Sequence, residues 1–241
     1  MKKIFLIFLI ILFIPNLSSA KDIKIYQTIA QTEFDQFVEE FGTSLAFNPM
    51  APAEPLGITG FDVGVEAVAT DISDDESYWR KLVEDSDPDS YLIVPRLHVQ
   101  KGLPFDIDIG AMYVEVPDSN VKLWGVEAKY ALLSGTVATP AISIRGSYSK
   151  LDGVDEININ TQTLDLLISK GIMMFTPYGG VSAVRVEGKE NSELVTLNKV
   201  EKTNFRGLVG LQFSPFPLFN MNAEVTIGDV TQYGFKIGLR F

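Results

Sequence analysis

Residues 233–241 alternate without a break. Tyr233, Phe235, Ile237, Leu239 and Phe241 fall on one side of an extended chain, and Gly234, Lys236, Gly238 and Arg240 fall on the other. A strand has a side-chain period of two, so one face of this segment is wholly apolar and the other carries glycines and cations. The pattern recurs upstream. Ten alternating segments can be counted, at 61–72, 90–100, 105–115, 121–132, 138–150, 159–169, 173–187, 203–213, 219–228 and 232–241. The first sets Phe61, Val63, Val65 and Ala67 against Asp62, Gly64 and Glu66; the second sets Ile93, Pro95, Leu97 and Val99 against Arg96, His98 and Gln100. The sixth is weaker, because Leu167 sits among polar residues, and the seventh puts Val181 and Ala183 on the face of Arg185. Such a chain is all-β, and an apolar face on every strand must meet either a second sheet or lipid.

The aromatic terminal strand resembles the closing strand of Gram-negative outer-membrane β-barrels. That resemblance implies that Tyr233, Phe235 and Phe241 act as the signal read by the barrel-assembly machinery. The connectors point the same way. Taken alternately, one set is expected at 73–89, 116–120, 151–158, 188–202 and 229–231, three of them long and acidic; the other, at 101–104, 133–137, 170–172 and 214–218, is uniformly short. Outer-membrane barrels pair long extracellular loops with short periplasmic turns, and an even strand number is the bacterial rule. The fold expected is a single antiparallel up-and-down transmembrane β-barrel of ten strands over 61–241.

The start of the chain fits this location. Lys2-Lys3 precedes an apolar run from Ile4 to Ile14, Pro15 breaks it, and Ser18-Ser19-Ala20 offers small residues for cleavage, the layout of a secretory signal peptide over 1–20. The run is too short for a membrane helix, which needs about 20 apolar residues. The chain has no Cys, which removes disulfides and thiolate metal sites. Without Lys2 and Lys3, 18 cationic residues face 31 acidic ones, a formal charge of −13. Phosphate backbones need a basic footprint, so nucleic acid is not an expected partner.

Residues 21–60 stand apart. Phe34, Phe37, Val38 and Phe41 have helical spacing, with Glu33, Asp35, Glu39 and Glu40 assigned to the opposite side and Gly42 as a stop. Pro49, Pro52 and Pro55 then disfavour strand pairing. The segment reads as a periplasmic amphipathic helix and linker, capping the barrel mouth or entering the lumen as a plug; a strand around Thr43–Phe47 is the remaining alternative and would break the even strand count.

The polar strand faces place Glu66, Arg96, His98, Asp106, Asp108, Glu127, Lys129, Arg145, Arg206, Glu224, Lys236 and Arg240 in the lumen, together with Asp62, Asp165 and Arg185. Both signs are present. Buried charges must pair or they cost several kcal/mol each, so a structural ion-pair network is the first expectation and a charged lining for a narrow water path the second. His98, the single histidine, has no Gly-x-Ser-x-Gly partner motif. The loop from Asp71 to Ser90 carries eight carboxylates and two cations without EF-hand spacing, so a weak divalent-cation site at 73–89 is an expectation rather than a motif. No cofactor is implied. The function expected is non-enzymatic: a structural or surface-interaction barrel in outer-membrane lipid, with a blocked or narrow lumen. A porin-like small-solute channel, a lipid-modifying enzyme and a soluble periplasmic ligand-binding barrel are the alternatives.

Overall fold

A computed structural model describes residues 29–82, 89–115, 121–191 and 197–241. The proposed signal peptide over 1–20 lies outside the described residues. Helix α1 (Gln31–Ser44) comes first, then β1 (Phe61–Asp71), the short helix α2 (Ser77–Leu82), and β2 (Tyr91–Leu103), β3 (Ile107–Glu115), β4 (Lys122–Ser134), β5 (Ala141–Asp152), β6 (Ile157–Ser169), β7 (Phe175–Glu190), β8 (Val200–Phe216), β9 (Leu218–Ile227) and β10 (Gln232–Arg240). The described residues thus form ten strands. Each pairs antiparallel with its chain neighbours, and β1 pairs with β10, closing the barrel. The seam runs from Asp62 opposite Arg240 to Thr70 opposite Gln232. Closure leaves no strand edge with unpaired backbone groups.

Alternation sorts the two faces as the sequence pattern requires. Val65, Leu97, Ile109, Val126, Ile144, Val209 and Ile237 are exposed on the outside, while Glu66, Arg96, His98, Arg145 and Lys236 are buried inside. Asp106 and Arg185 depart from expectation. Strand β3 begins only at Ile107, and Asp106 lies exposed in the preceding turn at φ 58, accepting a hydrogen bond from Ser134. Arg185 faces outward and pairs with Glu201, because Val184 and Val186 are the residues that turn inward.

Strands longer than expected shorten some loops. Strand β8 begins at Val200, so the connection after β7 is 191–199, and β5 and β6 reduce theirs to 153–156. The connection 72–90, which holds α2, remains the longest. It marks what we term the loop end of the barrel; the turns 104–106, 135–140 and 170–174 mark the short-turn end.

The N-terminal segment does not cap the short-turn end, where β1 begins. Helix α1 lies inside the barrel at the opposite, loop end, packed on β6, β7, β8 and α2. Val38 rests against Gly188, and Gly42 against Val186, positions where a β-carbon would collide. Phe34, Phe37, Val38 and Phe41 are buried in one cluster with Trp79, Leu82, Met112, Leu123, Ile157, Ile159, Val184 and Val186. An amphipathic helix needs an apolar partner surface, and here the inner wall supplies it. At the first turn, Glu33 reaches back to the Ala30 amide at 3.0 Å.

Candidate functional site: the occupied lumen

From Ser44 the chain leaves the helix and runs through the lumen to the start of β1. Its contacts trace the path. The Leu45 carbonyl accepts from Ser149 near the loop end of β5; the Ala53 amide donates to Ser169, at the short-turn end of β6; the Leu56 amide donates to Asp108, at the start of β3. Residues 45–56 therefore span the inside of the barrel.

An extended segment carries amides and carbonyls that no helix or sheet satisfies, and in a buried space each must find a partner. The wall provides them. Arg96 donates to the Ala46 carbonyl at 2.9 Å, and Arg145 to the Phe47 carbonyl at 2.9 Å. Asn222 donates to the Met50 carbonyl at 2.7 Å. Lys129 spans two carbonyls, of Pro52 at 3.0 Å and Glu54 at 3.1 Å. In the other sense, the Met50 amide donates to Glu224 at 3.1 Å. The Asn48 side chain donates to Gln232 and accepts from Arg206.

The wall charges also pair with one another. Glu127 accepts from Arg145, from Gln100 at 2.5 Å, and faces His98 Nε2 at 3.2 Å. Arg145 reaches Asp165 at 2.5 Å, and Asp165 in turn accepts from Ser182. His98 Nδ1 lies 2.6 Å from Glu66. Lys236 pairs with Asp62 at 2.9 Å, and Lys129 with Asp108 at 3.1 Å. Buried acids on the inner wall include Asp62, Glu66, Asp108, Glu127, Asp165, Glu190 and Glu224, and buried cations include Arg96, Lys129, Arg145, Arg206 and Lys236, with His98 between Glu66 and Glu127. Both signs are needed where buried charges must pair.

Of the residues expected here, Arg240 is half-buried at the short-turn end and donates to Gln212 at 3.0 Å. Arg206 donates to Gln232 at 2.6 Å, and Glu224 accepts from Tyr178 at 3.0 Å. Tyr233 and Phe235 face outward on β10. Phe241 is exposed, with its ring 5.6 Å from Phe61 and its amide donating to the Phe61 carbonyl across the seam.

Sequence reasoning missed the plug's own contributors. Phe47 lies under the Arg145 guanidinium, 4.8 Å from ring centroid to Cζ, and 4.9 Å from the His98 ring. Leu167, the flaw in the sixth strand pattern, is buried with Ala53, Tyr178 and Leu208. An apolar residue on a polar face was the available signal that something apolar occupies the interior.

A second cluster fastens the loop end. Glu40, expected on the solvent side of α1, is buried. It accepts from Tyr78 at 2.8 Å, Trp79 Nε1 at 2.6 Å and the Ser73 amide at 2.7 Å. Burial, with the Glu40 carboxylate beside it, pushes the Tyr78 hydroxyl well above its usual range. Glu33 binds Lys81 at 2.7 Å and Ser77 at 2.5 Å; hydrogen bonding to Lys81, then to Ser77 and the Ala30 amide, lowers its carboxyl to about 2. Part of the acidic loop, 83–88, lies outside the described residues; among those described, no group of three His, Asp or Glu could hold a metal.

Comparison with known proteins gives a family and a set of barrels. The model of a family of unknown function, DUF6588, matches residues 81–241, and the chain belongs to that family. The match begins within α2 and leaves out α1, the lumen segment and β1. Among curated proteins there is no match. Solved structures similar to this chain include the attachment invasion locus protein Ail of Yersinia pestis in complex with the heparin analogue sucrose octasulfate (15% identity, 76% of this chain and 98% of that chain, TM-score 0.35). Others are the N-terminal β-barrel domain of Pseudomonas aeruginosa OprF (16%, 75% and 97%, TM-score 0.34) and the KdgM porin (12%, 75% and 99%, TM-score 0.38). The barrel of this chain is established by its own strand register.

Proposed function

We propose that this member of the DUF6588 family is an integral outer-membrane barrel whose lumen is sealed by its own N-terminal segment, with a structural or surface-interaction role and no catalysis. The membrane part of the reading is supported by the outer face. A closed barrel that exposes aliphatic side chains on every strand has no soluble means of covering them, and lipid does so. Aromatic residues sit toward both rims: Tyr91, Tyr113, Trp124, Tyr148 and Tyr233 near the loop end, Phe61, Phe105, Phe175, Phe213 and Phe241 near the other. Such girdles suit the two membrane interfaces. On this reading the loop end is extracellular, and Tyr233, Phe235 and Phe241 serve as the assembly signal.

The observation that carries the sealed reading is the row of carbonyls at Leu45, Ala46, Phe47, Met50, Pro52 and Glu54, each bonded to a wall side chain. A porin-like channel needs that path free. A catalytic role for His98 lacks a nucleophile: its ring nitrogens face Glu66, Glu127 and Lys236, not a hydroxyl. Purified protein in planar bilayers should show little or no conductance. A large, steady conductance from the intact chain would overturn the reading in favour of a channel.

A further inference from the structure

We infer that the lumen is a peptide-binding tunnel for an extended, proline-rich peptide, and that residues 45–56 are its tethered, exchangeable ligand. The inference rests on the sealed-lumen reading and goes further, assigning a ligand class to the wall.

The wall addresses the segment chiefly through its backbone. Cationic and amide side chains from β2, β4, β5 and β9 meet successive carbonyls, and acceptors on β3, β6 and β9 meet the amides of Leu56, Ala53 and Met50. Backbone recognition of this kind tolerates changes in most side chains, because every residue offers the same carbonyl. The prolines complete the logic. Pro49, Pro52 and Pro55 bring no N–H, so three positions need no acceptor inside the barrel, and each ring fixes its own φ in advance while the chain turns between them, at Met50 with φ 44. Side-chain selection is confined to a few places: Phe47 beneath Arg145, Asn48 between Gln232 and Arg206, and Met50 against Gly234, where a β-carbon would meet the Met50 sulfur. The wall strands pair with each other throughout, and none of their ladder bonds passes through the segment. The ligand is thus held by side-chain contacts within a separately closed container.

The test uses the full chain with a specific protease site inserted after Ile58, which is 64% exposed, leaving Gly57 in place. The folded protein is cut and then warmed in detergent, following the cut segment and the barrel's strand signal separately. A fluorescent synthetic peptide of residues 45–56 is added in excess. The expected result is release of the segment below the temperature at which the barrel unfolds, with uptake of the synthetic peptide and competition by its unlabelled form. A peptide with the three prolines changed to alanine should bind about tenfold more weakly, since it carries three more amides into the lumen. Release only together with barrel unfolding, or absence of uptake after release, would overturn the inference. Conductance of the uncut protein separates the two readings. An uncut chain that conducts removes the sealed-lumen reading, whereas a sealed uncut chain whose segment leaves only on unfolding removes this inference alone.

Discussion

The two halves of the lumen are lined by opposite chemistry, although the same strands build both. At the loop end the inner wall is apolar: Met112, Leu123, Ile157, Ile159, Val184 and Val186 surround α1. Around residues 45–56 it is mainly charged and amide-rich, with Arg96, Lys129, Arg145, Asn222, Glu224 and Lys236 buried, beside a small apolar patch of Leu167, Tyr178 and Leu208 at Ala53. The difference follows from what each half encloses. Helix α1 satisfies its own backbone and asks its surroundings only for apolar contact. The extended residues 45–56 satisfy almost none of theirs internally, so the wall must bring donors and acceptors. The secondary structure of the plug thus dictates the polarity of the barrel around it.

Arg145→Ala should have the largest effect of any single change. It removes a cation shared by Glu127 and Asp165 and frees the Phe47 carbonyl, leaving two buried carboxylates short of a partner. A cost of about 3–5 kcal/mol is expected, read from thermal or urea unfolding in micelles. Arg96→Ala should cost less, about 1–3 kcal/mol for the Ala46 carbonyl left without its donor, because its Nε and Nη2 have no hydrogen-bond partner and it has no carboxylate within ion-pair distance among the described residues. Equal losses would mean that the wall cations act by charge alone rather than by the bonds each makes.

Phe37→Ala probes the apolar half. Phe37 is fully buried between Phe41 and Trp79, with both ring centroids at 5.1 Å. Its truncation should cost about 3 kcal/mol, the low end for a buried Phe, since the short α2 can settle into the space. The lumen should nevertheless stay non-conducting, because the carbonyl contacts of 45–56 are untouched. Conductance in this variant would show that the helix, not the extended segment, makes the seal.

A smaller loss, about 1–2 kcal/mol, is expected for Glu40→Gln, whose amide nitrogen would confront donors from Tyr78, Trp79 or Ser73. Proteolysis within 72–90 should accelerate while the barrel stays intact.

The Glu33–Lys81 contact gives the mildest effect, and a pH dependence. The carboxyl of Glu33 is lowered to about 2 from its ordinary value of 4.5, so its contribution is fully present above about 4.5 and is lost as pH falls toward 2. Hydrogen exchange in α2 should rise over that window in the wild type and show no such step in Glu33→Gln. An unchanged step in the variant would assign the titration to another group.

The barrel itself was legible in the sequence because period-two alternation reports a strand's two faces directly, and all ten segments lie close to their strands. The inward side of the charge set was legible for the same reason, except at Asp106, which a turn removes from the strand, and Arg185, where the inward face turns apolar to receive α1. The plug's position was not legible. Helical spacing identifies which face of α1 is buried, but not against what, and no local signal says that Glu40 joins that face to meet α2. Leu167 looked like a defect of pattern and is the wall's imprint of the plug; in β7 the face shared by Val181, Ala183 and Arg185 is the outer one, and the unremarked Val184 and Val186 turn inward to meet α1.

The central claim is that residues 29–60 pass through the barrel, so that Ala30 lies at the loop end and Ile58 at the short-turn end. The chain has no cysteine, and both positions are exposed, so single cysteines there report location cleanly. With a membrane-impermeant maleimide on intact cells, Ala30→Cys should label, while Ile58→Cys should label only after the outer membrane is permeabilised. Labelling of Ile58→Cys with protection of Ala30→Cys in intact cells would contradict the threaded, surface-directed plug.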